Sequence, residues 1–195
     1  MSYNPIKLYE ISERFITYMI LHLNDPKTGT TPVYSNHIAK HTRKYLSLQI
    51  QLNGYNYYIP LSSGRNKDYF IDSVTGLRAI RKDVTTIWRI KGFDVNGLEE
   101  VKASIIFGSM LPAPNSDVLI YDVDSELDIN YKNLVLEELR YISTHREKIE
   151  KNAARLYKFK IESKPIDYLK YTVDFLKAET LVDVFVEIDT SSIEA

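Results

Sequence analysis

Residues Arg43 to Lys67 read RKYLSLQIQLNGYNYYIPLSSGRNK, and the rest of the chain is best understood outward from them. Two strand-forming runs, Tyr45 to Leu52 and Tyr55 to Leu61, flank Asn53-Gly54, the pair that best tolerates the positive φ angles of a tight hairpin turn. Leu46, Leu48, Ile50 and Leu52 alternate with Tyr45, Ser47, Gln49 and Gln51, which predicts an antiparallel sheet covered on one face only. Two strands of similar length bring their outer ends together. Arg43 and Lys44, at the start, are therefore expected on one sheet edge with Ser62, Ser63, Gly64, Arg65 and Lys67 at the end. Hydroxyls and cations gathered there suit a phosphodiester. The simpler reading of Ser62-Ser63-Gly64 is ordinary turn chemistry.

The flanking sequence extends this frame. Lys7 to Ile11 reads as a first strand, and Ser12 followed by Phe15, Met19, Ile20 and Leu23 reads as a capped amphipathic helix. Asn24-Asp25-Pro26 ends it, and Asp25 to Ala39 is a polar loop carrying Tyr34. After the hairpin, Asp68 to Gly76 reads as loop. Strands are predicted near Leu77–Ile80, Thr85–Ile90, Phe93–Val95, Leu98–Phe107 and Val118–Tyr121, with MLPAP at Met110 to Pro114 interrupting them. From Tyr131 to Ser163 no Pro or Gly occurs and apolar residues take helical spacing, with a bend or break expected at Ser143–Arg146. A further helix is predicted from Pro165 towards Leu176, and residues after Thr190 read as frayed. This order gives an α+β fold, one domain over 1–195 with a sheet-rich part, 1–121, and a helical part, 122–190.

Charge sharpens the functional reading. The net charge is −1, but residues 1–92 hold 13 basic and 6 acidic residues, giving +7, and the remainder holds 12 and 20, giving −8. Such a split points to a polyanion-facing surface or to pairing between the halves. The 15 tyrosines fit stacking on unpaired bases and equally fit strands. The absence of cysteine excludes disulfides and thiolate metal sites. No secretory signal or membrane-length apolar run is present, so a cytoplasmic protein with no membrane association is expected. His37 and His41 are spaced to share a helical face, yet no HExxH-like acid accompanies them. Asp122, Asp124, Glu126 and Asp128 lack the glycine and closing glutamate of an EF-hand loop and read as an acidic helix entry. GxSxG, Walker A and GxGxxG motifs are absent. No metal or cofactor is expected.

Several pieces together resemble the type III toxin–antitoxin endoribonucleases of the ToxN/AbiQ family: LYEIS at Leu8 to Ser12, NGYNYYIPLSS at Asn53 to Ser63, SMLPAP at Ser109 to Pro114, and YKNLVLEELRYISTHREKIEKNAARLYK at Tyr131 to Lys158. The resemblance implies a compact, strongly bent antiparallel sheet with a barrel-like core, flanked by an N-terminal helix and long C-terminal helices. It implies metal-independent cleavage of RNA, often at A-rich single-stranded sites, leaving 2′,3′-cyclic phosphate and 5′-hydroxyl ends. It implies an antitoxin partner, a repeated pseudoknotted small RNA that the toxin processes and that then inhibits it in a closed RNA–protein assembly, with cellular or phage RNA as substrate in phage defence.

Carried over residue by residue, the resemblance assigns catalytic roles to Ser62, Ser63, Arg43, Arg65 and Tyr34. Arg43 and Arg65 would clamp the phosphate, the serines would hold its non-bridging oxygens, one seryl hydroxyl relaying a proton, and Tyr34 would position a base. Lys44 is the alternative to Arg43 as the cation opening the hairpin. Lys40, Lys44, Lys67, His41 and Tyr131 are the expected further RNA contacts. The general base is unassigned, with His41 a candidate. The family usually has Pro where Gly64 stands and lysines where Arg43 and Arg65 stand, and arginine is the poorer proton donor. A non-catalytic RNA-binding protein using the same basic edge, or a protein-contact module built on the tyrosines, is the competing reading.

Overall fold

A computed structural model of the protein describes residues 6–25, 31–38 and 41–193. In chain order the elements are β1 (Leu8–Ile11), α1 (Glu13–Leu23), β2 (His37–Ile38), β3 (His41–Thr42), β4 (Tyr45–Leu52), β5 (Tyr55–Ser63), β6 (Tyr69–Ile71), β7 (Arg78–Ile80), β8 (Ile87–Phe93), β9 (Glu99–Ile106), β10 (Leu111–Pro112), β11 (Val118–Ile120), α2 (Ile129–Ile161) and α3 (Phe175–Ile193). The α+β class expected from sequence is the one observed.

Asn53 and Gly54 take φ of 51° and 84°, so the chain reverses where expected and pairs Leu52 with Tyr55 and Tyr45 with Pro60. β5 is the axis of the main sheet. β4 lies along one edge of it; on the other edge β10 pairs at Tyr57 and Tyr58 and β9 pairs from Leu61 to Ser63. The order is β11-β1-β4-β5-β9-β8 with β10 beside β5, and all pairs are antiparallel. Register shifts within β4 and within β8 add bend and twist. The strongly bent antiparallel sheet expected is the one observed; it curls without closing, with β11 and β8 as its edges.

One covered face was also too simple an expectation. From Tyr57 to Ser62 every β5 residue is buried. Tyr57 points to the helices, its ring 5.7 Å from Tyr157 and 5.8 Å from Phe175, while Tyr58 meets Tyr9 of β1 edge-on at 5.4 Å. Both faces of the central strand are therefore covered. The side chains of Leu48, Gln49 and Ile50 lie outside the described residues.

Ser12 caps α1 by accepting from the Phe15 amide at 3.2 Å, and Phe15, Ile16 and Met19 enter the core. α2 follows Asp128, whose carboxylate accepts from the Asn130 and Tyr131 amides, as the acidic run predicted. It is continuous through Ser143–Arg146, because Thr144 and His145 bond back to the carbonyls of Arg140 and Tyr141 instead of breaking the ladder. The helix expected from Pro165 is absent; Asp167–Tyr171 forms a 3₁₀ turn, and α3 starts after Asp174 and runs past Thr190. Its valines weaken the helical signal in sequence, and burial of Phe175, Ala178 and Val182 overrides that preference. Tyr69–Ile71, read as loop, pairs with β7 in a separate small ribbon, and Phe93–Val95 is the end of β8 and a turn.

One buried carboxylate joins three elements. Glu179 of α3 accepts from the hydroxyls of Tyr57 and Tyr157, both at 2.8 Å, and from the Asn53 amide at 2.7 Å. Another acid, Glu138, shares the buried stripe of α2 with Val135 and Ile142. Burial, and then Glu137, push its carboxyl up to about 7 from 4.5. Between those values the folded chain holds a proton that the unfolded chain has released. Stability from this group is thus complete below about pH 4.5 and is lost as pH rises through about 7, by a total of about 3 kcal/mol. Urea unfolding of Glu138→Gln and the parent at about pH 4.5 and about pH 8 is expected to show this loss in the parent, with the variant lacking it.

Candidate active site

The hairpin register brings its two outer ends together. The Leu61 amide donates to the Lys44 carbonyl at 2.9 Å. Arg43 Nη1 donates to the Leu61 carbonyl at 3.0 Å and Nε to the Ser35 carbonyl at 3.1 Å. Its guanidinium lies 5.2 Å from the centre of the Tyr34 ring, within the range of cation–π attraction. Arg43 is itself buried, and burial, with the nearby positive charge of Arg65, lowers its pKa from the ordinary arginine value.

Ser62 and Ser63 are the last two residues of β5, not a turn after it. Adjacent strand positions send side chains to opposite faces; Ser62 is buried and Ser63 exposed. Ser62 pairs with Ser104 of β9, which pairs with Arg89 of β8, so three polar side chains form one row across the sheet. Gly64 continues the strand against β9, where a Cβ would stand 2.0 Å from the Val101 carbonyl oxygen.

A buried ion pair underlies this row. Asp68 Oδ1 meets Arg89 Nε at 3.1 Å, and Asp68 Oδ2 accepts from the Arg65 amide at 2.9 Å. Arg89 also donates to the Lys82 carbonyl at 2.9 Å. Asp68 thus fixes the backbone of Arg65 while leaving its side chain exposed. The loop before the hairpin is held by Asn36, which donates to the Ile11 carbonyl at 2.7 Å and accepts from the Tyr45 hydroxyl at 2.9 Å.

These elements enclose a recess of about 20 Å³, little more than the roughly 10–15 Å³ that one water requires. Tyr34, Ser62, Ser63, Arg65 and Lys67 border it. Asp68 and Ser104 also line it, with Ile87 and Ile106 as apolar wall. Its size suits one oxygen-sized group. A far larger cavity, about 710 Å³, lies between the end of α2 and the start of α3. No residue expected to act lines it, and its Lys160 amine already donates to the Leu169 carbonyl at 2.7 Å.

Other expected residues lie elsewhere. Lys44 is buried, ion-paired with Glu10 and 3.9 Å from the centre of the Tyr121 ring, so Arg43 is the hairpin-opening cation that reaches the serine end. Tyr131, half-buried at the start of α2, has Glu138, Glu126 and Glu10 as its charged neighbours; burial first, then those acids, push its hydroxyl up to about 12. His37 pairs with Thr42, and His41 with Ile38, in short strands, so they share no helical face. Lys40 and the side chain of His41 lie outside the described residues. Among the described residues no three His, Asp or Glu cluster as metal ligands, and no helix is long and apolar enough to cross a membrane. Sequence reasoning missed Asp68, Arg89 and Ser104. An arginine between Trp88 and Ile90 in a strand-forming run was the available signal for a buried charge.

Residues 7–183 match the family described as toxin ToxN of the type III toxin–antitoxin system. The chain belongs to the ToxN toxin family. It is 22% identical over 180 residues to the endoribonuclease AbiQ of Lactococcus lactis subsp. lactis, covering 92% of this chain and 89% of that one. It is 24% identical over 193 residues to the endoribonuclease ToxN of Bacillus thuringiensis subsp. kurstaki, covering 95% and 87%. Among solved structures, the fold resembles a type III toxin studied for its selective inhibition by a non-coding RNA pseudoknot, with TM-score 0.72, 20% identity and coverage of 94% and 99%. It also resembles AbiQ, a lactococcal anti-phage endoribonuclease, with TM-score 0.71, 18% identity and the same coverage.

In this ToxN-family chain the β5–β9 contact is where the site is most sensitive to backbone volume. Gly64→Ala must push β5 off β9 beside Ser62. Overpacking of this kind is expected to lower the unfolding free energy by about 1–3 kcal/mol, measured by urea denaturation.

Proposed function

We propose that the protein is a metal-independent endoribonuclease, the toxin of a type III toxin–antitoxin pair. The carrying observation is the convergence of Tyr34, Ser62 and Arg65 around an oxygen-sized recess, with Arg43 held behind it against the Tyr34 ring and the Leu61 carbonyl. RNA brings its own nucleophile. The 2′-oxygen attacks the adjacent phosphorus as its proton leaves to a base, the bond to the 5′-oxygen breaks, and that oxygen takes up a proton. Products are a 2′,3′-cyclic phosphate and a 5′-hydroxyl. The protein's task is to hold the phosphate in line and stabilise the charge that develops on it.

In this reading a non-bridging oxygen enters the recess and accepts from the Ser62 hydroxyl. Arg65, exposed and tethered through its backbone, closes over the phosphate beside Ser63. Arg43, fixed by two carbonyls, supplies positive potential and holds Tyr34 where its ring faces a base. Lys67 extends the cationic rim along the strand. His41, in the strand before Arg43, is the candidate acceptor of the 2′-proton. Asp68 is poorly placed to bind a metal ion, because both its oxygens are engaged by Arg89 and Arg65. The antitoxin is a repeated, pseudoknotted RNA that the enzyme processes and that then occupies the same surface in a closed assembly, in the cytoplasm, in defence against phage.

Purified protein incubated with single-stranded RNA in EDTA is expected to give cyclic-phosphate ends, with RNA binding that weakens steeply as salt rises. Binding without cleavage would favour the non-catalytic alternative. Ser62→Ala and Arg65→Ala are each expected to slow cleavage about a hundredfold or more with melting temperature retained. Arg43→Ala is expected to lose cleavage and also about 1–3 kcal/mol of stability, since it abandons two carbonyls. Full activity in a folded Ser62→Ala protein would refute the placement.

A further inference from the structure

Ser104 is the one buried side-chain polar atom among the described residues with no hydrogen-bond partner. Unpaired buried hydroxyls are uncommon and costly. This one is no bystander to the recess, because Ser104 lines it and stands directly across from Ser62. Directly opposed residues on one face have Cβ atoms about 4.5–5.5 Å apart, a separation that rotation about two Cα–Cβ bonds closes into a hydrogen bond. The Ser62 hydroxyl is not engaged by the charged groups around it: the Arg43 guanidinium goes to the Ser35 and Leu61 carbonyls, and Asp68 goes to Arg89 and Arg65.

We propose that Ser104 is a positioning residue for Ser62: its hydroxyl donates to Ser62 Oγ when Ser62 turns its own proton towards a phosphoryl oxygen in the recess. This deepens the ribonuclease reading and rests on it. A hydroxyl has one proton and two lone pairs, so a Ser62 that donates to phosphate has acceptor capacity to spare, and only a donor from behind holds its rotamer. Ser104 occupies that place. On its other side, in register, is Arg89, a buried cation already bound to Asp68 and the Lys82 carbonyl. Positive charge at that end favours a chain of donors running outward, Ser104 to Ser62 to phosphate, and successive hydrogen bonds polarise one another. The unpaired hydroxyl is therefore a local cost in the free protein that the bound phosphate relieves. Alanine at position 104 would suit the fold better and the reaction worse.

The test is single-turnover cleavage of a labelled A-rich single-stranded RNA by the full chain and its Ser104→Ala, Ser62→Ala and doubly substituted variants, with melting temperatures alongside. Ser104→Ala is expected to lower the maximal rate about tenfold, as small misplacements of a catalytic group do, with RNA affinity within about twofold of the parent. Its melting temperature is expected to equal or exceed the parent's, since an unsatisfied donor has been removed. In the Ser62→Ala background the same change is expected to cost nothing further, the signature of two groups acting as a unit. An unchanged rate in Ser104→Ala beside a slow Ser62→Ala overturns the role of Ser104 and leaves the site reading standing. A slowed rate with lowered melting temperature, or a loss that multiplies with that of Ser62→Ala, makes Ser104 merely structural and also overturns it. A fast Ser62→Ala overturns both.

Discussion

The register between β4 and β5 is the constraint on which the other features rest. A two-residue turn with both φ angles positive sets the pairing at the tip, the irregularity between Ser47 and Gln51 resets it, and the pairing beyond brings the Leu61 amide to the Lys44 carbonyl and the Arg43 guanidinium to the Leu61 carbonyl. A slip of one residue would invert every side chain on the strand, sending Tyr57 away from Tyr157 and Phe175 and Ser62 away from Ser104. The same register thus sets both the aromatic packing against the helices and the polar row at the recess.

The polar row shows how a buried charge is made tolerable beside an exposed cation. Arg89 is almost fully enclosed, and taking such a group out of water is costly unless it is paired and hydrogen-bonded. Asp68 and the Lys82 carbonyl supply both. Asp68 then spends its second oxygen on the Arg65 amide, so the group that neutralises the buried cation also shapes the backbone of the exposed one. The exposed guanidinium stays available to a ligand.

The hairpin, the capped first helix, the acidic entry to α2 and the placement of Arg43 beside the serine end were legible because each rests on local chemistry: Asn53-Gly54, Ser12 before Phe15, Asp128 before Tyr131. What escaped the sequence was set by tertiary contact. The hairpin reads as covered on one face, yet β5 is buried on both, with Tyr58 against Tyr9 on one side and Tyr57 against the helices on the other. α3 carries valines that favour strands, and only its burial makes it a helix. Lys44 and Arg43 are neighbours in sequence with equal charge, and Glu10 claims one of them from a strand 34 residues earlier in the chain. Ser104 sits among the small and apolar residues of β9 with nothing nearby in sequence to mark it.

Glu179 has a consequence for the far end of the hairpin. Its carboxylate grips Asn53 at the turn and Tyr57 four residues further along β5, and it does so from the last helix of the chain. A ribbon clamped at its tip behaves as a beam fixed at the end remote from its working edge, and thermal bending of the turn is not passed along to the serines. The stiffness of the recess is in this sense supplied by α3, an element that contributes no residue to it.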